Sequence, residues 1–105
     1  MLGELEQLVL LGLIRLGDDA YGLAVHEELE RRTRRRLSLG TVYKALIRLE
    51  DKGFVASHVG NPTPERGGRR KRHYRVLAPG RRALAHSLGA IRRLSEGLNA
   101  LELPR

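Results

Sequence analysis

The 105-residue sequence predicts a mainly α-helical fold with one small β-hairpin, in the order α-α-α-β-β-α. Two observations carry that prediction. Apolar residues recur at three- and four-residue spacing through three N-terminal stretches and one C-terminal stretch, as on one face of a helix. Between residues 54 and 77 the spacing changes to alternation, interrupted once by Gly60-Asn61-Pro62, as in two strands joined by a loop. A third observation, the placement of charge, bears on what the fold is for. Residues 1–30 hold seven acids and one base, residues 31–82 sixteen bases and three acids, and residues 83–105 three bases and two acids. A net charge of +8 focused in the middle of the chain marks a face for a polyanion.

The first helix is expected from Leu5 to Leu16. Leu5, Leu8, Val9, Gly12, Leu13 and Leu16 share one face, and Leu10, Leu11 and Ile14 fill the rest. A helix apolar on nearly every side must be covered from more than one direction. In so small a chain one of those covers is expected to be a second subunit, with Leu5 and Leu10 at the contact. Gly17 ends the helix, and Asp18-Asp19 offers caps for a second one from about Ala20 to Thr33. Tyr21, Ala24, Val25 and Leu29 line its core face, with Glu27, Glu28 and Glu30 off it. Arg31, Arg32, Arg34, Arg35 and Arg36 crowd its end, more cations than the helix dipole calls for.

The third helix is the most informative. Ser38 is a good N-cap, flanked by Leu37 and Val42 at the positions of a hydrophobic staple. Val42, Ala45, Leu46 and Leu49 form a narrow core stripe, and Gly53 closes the helix. The opposite face carries Gly40, Lys44, Ile47 and Asp51, flanked by Thr41, Tyr43 and Arg48. An outward Tyr and Ile among cations suits a helix laid in a DNA groove, where they meet sugar or a thymine methyl. Strands are expected at Phe54–Val59 and Arg72–Leu77, with Val55, Ser57 and Val59 on one side of the first and Tyr74 and Val76 on one side of the second. The loop between them carries the basic run "ERGGRRKRHYRV" from Glu65. Such a concentration of cations repels itself unless phosphates neutralise it and release their counterions. Arg66, Arg69, Arg70, Lys71 and Arg72 are therefore expected to contact the DNA backbone, with Gly67 and Gly68 letting the loop come close. Pro79 opens the last helix, where Leu84, Leu88, Ile91, Leu94, Leu98 and Leu101 form a near-heptad seam suited to dimerisation. These elements make a winged helix-turn-helix domain over residues 1–78 and a C-terminal dimerisation helix over residues 79–105 of the same compact unit.

Four segments resemble the PadR family of transcriptional regulators: "LGELEQLVLLGLI" from Leu2, "DDAYGLAVHEELE" from Asp18, "LSLGTVYKALIRLEDKGFV" from Leu37 and "GGRRKRHYRVLAPGRRAL" from Gly67. They cover about residues 2–84 in order. The resemblance implies a homodimeric repressor reading a short inverted repeat in double-stranded DNA. It places the third helix in the major groove and the wings on flanking backbone or minor groove, and it matches the family's DNA-contacting tyrosine to Tyr43. Two positions depart from the family pattern. Lys44 stands where Pro is common and adds a candidate DNA contact. Ala78 stands where a capping Thr is common and cannot accept a capping bond, a loss of about 1 kcal/mol. Larger members carry several C-terminal helices, whereas one is expected here.

Other functions fit less well. The absence of Cys rules out a disulfide framework, thiolate zinc sites and Cys nucleophiles. His26, His58, His73 and His86 are scattered. His58 and His73 face each other across the expected hairpin, but two ligands without a carboxylate make a poor metal site. No enzyme, metal or cofactor is expected. RNA binding, or DNA binding without sequence preference, is the alternative that uses the same charge, but few aromatics are available for stacking bases. Nothing indicates a small-molecule effector: Trp is absent, and neither the first nor the last helix contains an aromatic. The longest apolar run, Leu8 to Leu16, is too short to span a bilayer and follows no basic leader, so a cytoplasmic location without membrane association is expected.

Overall fold

The computed structural model of the chain describes residues 2–60 and 71–99. The expected order is present. Helices α1 (Glu4–Leu16), α2 (Gly22–Thr33) and α3 (Leu39–Asp51) precede an antiparallel hairpin, β1 (Val55–Val59) and β2 (Arg72–Val76), and a long helix α4 (Ala78–Ser95) follows. The register pairs Val55 with Val76, Ser57 with Tyr74 and His58 with His73; Val55 and Tyr74 are buried on the side they share, while Val59 at its outer end is exposed.

One core serves every element. Val9, Leu10 and Leu13 of α1, Val25 and Leu29 of α2 and the Val42-Ala45-Leu46-Leu49 stripe of α3 meet Val55, Tyr74 and Leu84 in it. Leu10 and Leu84, expected at a subunit interface, belong to this core and have no surface left for a partner. Leu5 is half-buried against it. The open side of α1 consists of Leu11 and Ile14 instead.

Polar groups fasten the helix ends. Glu6 is buried, accepting from the Gly3 N–H (3.0 Å) at the start of α1 and from Lys52 Nζ (2.6 Å) at the end of α3. Burial alone would raise its pKa, but these hydrogen bonds and the charges of Lys52 and Arg48 outweigh it and hold the carboxyl below its ordinary value of 4.5. Glu28 is buried too, contrary to the expectation that it lies off the packed face. It accepts from both Arg31 and Arg32, and the Arg32 bond leads in keeping its pKa low. Arg35 pairs with Glu4 at 2.9 Å. Three of the five clustered arginines are thus matched within the chain.

The start of α2 differs from expectation. Asp18 and Asp19 do not cap it but lie in a single 3-10 turn, Gly17–Asp19. The chain then turns tightly at Ala20, where the Tyr21 N–H donates to the Asp19 carbonyl (3.0 Å), and is extended at Tyr21; Ala20 accepts from the Tyr74 N–H (2.8 Å) and Tyr21 bridges His73, docking this corner on β2. The helix therefore begins only at Gly22, and its cap residue Tyr21 makes no side-chain capping bond. At the far end of α3, Gly53 adopts φ 76°. Its N–H donates to the Glu50 carbonyl (2.9 Å), and the Phe54 N–H donates to Leu49 (3.0 Å), a Schellman ending that turns the chain into β1.

Helix α4 is capped by Leu77, so Ala78 is its first residue and not its cap. Gly80 seats it: a Cβ there would lie 2.3 Å from the Phe54 carbonyl oxygen. The helix stops at Ser95, so Leu98 lies beyond it, and Leu101 falls outside the described residues. Leu88 is 38% exposed, Ile91 58%, Leu94 85% and Leu98 48%, an apolar edge that nothing among the described residues covers.

Candidate nucleic-acid interface

Helix α3 presents two distinct sides. Val42, Ala45, Leu46 and Leu49 are fully buried, while Gly40, Thr41, Tyr43, Lys44, Ile47 and Arg48 are all exposed. Packing of one stripe thus forces the other outward, since residues three and four apart share a face. Ser38 caps the helix, its Oγ accepting the Thr41 N–H at 3.0 Å. That leaves the Leu39 and Gly40 N–H groups as the open donors of the first turn, since the cap occupies the Thr41 N–H. Lys44, Ile47 and Arg48 make no side-chain hydrogen bond or ion pair among the described residues. In particular Arg48 does not pair with Glu50 or Asp51.

The turn between α2 and α3 is held by His26. Its Nε2–H donates to the Leu37 carbonyl at 2.6 Å, and Glu30 accepts the Leu37 N–H at 2.9 Å. These bonds fix the residue before the Ser38 cap and so set the direction in which α3 leaves the turn. Arg34, Arg35 and Arg36 lie exposed along the same turn.

Of the five wing cations expected to meet DNA, Lys71 and Arg72 are described, while Arg66, Arg69 and Arg70 lie outside the described residues. Arg72 Nη1 donates to Ser57 Oγ (3.0 Å), whose hydroxyl donates to Glu50 (2.6 Å), tying the base of the wing to the end of α3. Lys71 Nζ sits 4.1 Å over the ring of Tyr21. Tyr21 also meets the His73 ring edge-on at 5.8 Å, and His73 stacks on His58 at 5.5 Å. Tyr21 is therefore a half-exposed floor for the wing and not the core residue its helical spacing suggested. The two histidines do face each other, but stacked rings do not converge on a metal, and no cluster of three or more His, Cys, Asp or Glu that could hold one occurs among the described residues.

Tyr21, Gly22, Leu23, Leu39, Tyr43, Lys71 and Arg72 line a single groove between the start of α2, the start of α3 and the wing. Tyr21, Gly22 and Leu23 are the members sequence reasoning missed. Their spacing from the third helix is no signal; only the bridge to β2 brings them there. The groove adjoins the outward row of α3 through Tyr43 and carries Lys71 and Arg72 on its wing side. Among the described residues no helix is long and apolar enough to cross a membrane.

Comparison with known proteins agrees with this arrangement. The sequence matches the transcriptional regulator PadR-like family over residues 10–86. The structure is similar to that of a PadR family transcription regulator from Clostridium difficile R20291, with TM-score 0.72, 29% identity and coverage of 94% of this chain and 98% of that one. It is likewise similar to a PadR family transcriptional regulator from Eggerthella lenta DSM 2243, with TM-score 0.68, 29% identity and coverage of 94% and 84%. A PadR-like transcriptional regulator from Bacillus cereus strain ATCC 14579 shares the fold at TM-score 0.73 and 19% identity, with coverage of 96% and 93%. No curated protein matches the chain. The family match over most of the chain, together with a winged helix-turn-helix whose third helix turns a basic row outward, establishes that this chain belongs to the PadR-like family of DNA-binding transcriptional regulators.

Proposed function

We propose that the chain is a homodimeric repressor that reads an inverted repeat in double-stranded DNA through α3. The observation that carries the reading is the outward row of that helix. Tyr43, Lys44, Ile47 and Arg48 are exposed and without ion pairs directly opposite a fully buried stripe. Lys44 or Arg48 pairs with guanine, and Tyr43 packs on sugar or a thymine methyl. The first turn, capped by Ser38 through Thr41, brings the open N–H groups of Leu39 and Gly40 against a phosphate. Arg66, Arg69, Arg70, Lys71 and Arg72 contact the backbone, which adds affinity without sequence preference. Residues 1–78 serve as the DNA-binding unit. The edge of Leu88, Ile91, Leu94 and Leu98 packs on a second copy, placing two reading helices roughly 34 Å apart on successive major grooves. Repression then follows from occupancy of a promoter site.

The test is to select bound duplexes from a random pool and compare variants on the recovered site. Tyr43→Ala and Lys44→Ala are each expected to reduce discrimination against random duplex by about 1–3 kcal/mol, the worth of one good base contact, with melting nearly unchanged. Arg69→Ala with Arg70→Ala is expected to weaken specific and random duplex alike and to lower the salt slope. Recovery of no preferred duplex, or a preference for RNA, would refute the reading in favour of general nucleic-acid binding.

A further inference from the structure

Gly22 is buried at the first turn of α2, and the ring of Tyr43 lies directly on it. A Cβ built on Gly22 would meet Tyr43 Cε1 and Cζ at 2.4 Å and the phenol oxygen at 2.5 Å. Real side chains do not approach so closely, so any residue but glycine would force the tyrosine off its seat. The backbone gives no other reason for glycine here. Gly17, Gly53 and Gly97 have positive φ, but Gly22 does not. Glycine loses more backbone freedom than alanine when it enters a helix, so the position carries a small intrinsic penalty that only the tyrosine explains. Tyr43 is 38% exposed, with its hydroxyl end held against α2. Its direction on the outward row is therefore fixed by another helix and not by α3 alone. The same groove holds Lys71 and Arg72 on its far wall, so this seat also sets the spacing between the reading tyrosine and the base of the wing.

We infer that Gly22 is a specificity-determining position that acts through Tyr43: it holds the ring in the orientation in which it meets DNA, without touching DNA itself. The inference rests on the reading of Tyr43 as a DNA contact. It predicts that a single methyl group at the start of α2 mimics the loss of the tyrosine on α3.

The test is a double-mutant cycle on the full chain, using the selected duplex and a random duplex of equal length. Gly22→Ala is expected to lower the ratio of specific to random affinity about tenfold, close to the effect of Tyr43→Ala. The salt slope should not change, because every phosphate contact remains in place. Gly22→Ala combined with Tyr43→Ala should be no worse than Tyr43→Ala alone, since the clash disappears with the ring. Melting without DNA supplies a second cycle. Gly22→Ala should lower or leave unchanged the Tm of the natural chain but raise that of the Tyr43→Ala chain by a few degrees, as removal of a helical glycine does. Equal melting shifts in both backgrounds, or losses of discrimination that add, would overturn the inference. Failure of both the single and the double variant to fold would overturn it as well, because Gly22 would then be needed whether or not the tyrosine is present. If Tyr43→Ala keeps full discrimination, the proposed reading of α3 falls and the specificity role of Gly22 with it. If Tyr43→Ala loses discrimination and Gly22→Ala keeps it, only the role of Gly22 falls.

Discussion

Leu94→Asp should convert the proposed homodimer to monomer. Leu94 is 85% exposed on α4, with Ile91 at 58%, Leu98 at 48% and Leu88 at 38% along the same edge. Covering Leu94 almost completely is worth about 1.5–2.5 kcal/mol per protomer. In a two-fold dimer the residue counts twice, so its loss removes about 3–5 kcal/mol. The four residues together amount to roughly two fully exposed aliphatic side chains per protomer, or about 3–6 kcal/mol. Two protomers supply about twice that, a sum of the same order as the cost of association. Leu94 is thus a large part of a narrow margin, and an aspartate adds the desolvation of a carboxylate. The dimer should weaken at least a hundredfold, at about 1.4 kcal/mol per decade. Sedimentation or light scattering across the micromolar range measures this directly. Leu94 makes no contribution to the core, so the monomer should remain folded, with melting that no longer depends on concentration. Leu84→Ala is the contrasting variant. Leu84 is only 4% exposed in the chain's own core, so its truncation should cost about 2–5 kcal/mol of folding stability. A natural chain that is monomeric at micromolar concentration, or a Leu94→Asp variant with an unchanged dissociation constant, would refute the assignment of this edge.

Gly80→Ala should destabilise by about 2–4 kcal/mol in denaturant titration, because a Cβ 2.3 Å from the Phe54 carbonyl must push α4 away and strain the Leu77 N–H bond to the same oxygen. An unchanged midpoint would show that α4 is not seated there. Arg34 holds φ 58° at the end of α2, so Arg34→Gly should raise stability by about 1 kcal/mol in the same titration. Glu6 and Glu28 both have folded pKa values below 4.5, so the stability they contribute is present above that pH and lost as pH falls through their lowered values. Glu6→Gln and Glu28→Gln should each lower stability at neutral pH and flatten its decline as pH falls below 4.5, as denaturant midpoints taken across that fall will report.

Much of this protein follows from local chemistry. The stripe of Val42, Ala45, Leu46 and Leu49 determines which side of α3 is buried, and therefore that Tyr43, Lys44, Ile47 and Arg48 face outward. Ser38, Gly53 and the alternation of Val55 with Ser57 set the helix limits and hairpin faces, because caps, turns and pleats depend on neighbouring residues alone. Three matters were decided only by tertiary packing. Leu10 and Leu11 are adjacent leucines with no difference in the sequence, yet the shared core encloses the first and leaves the second open. Asp18-Asp19 reads as a helix cap, but a hydrogen bond from β2, more than fifty residues away, holds Ala20 and the extended Tyr21 against the hairpin and delays α2 to Gly22. That delay carries Tyr21 under Lys71 and brings Gly22 beneath Tyr43. Local sequence thus determined which side chains point outward, since residue spacing within one element governs direction. Only the packing of separate elements could decide what each outward side chain rests on, because those contacts join residues the chain holds far apart.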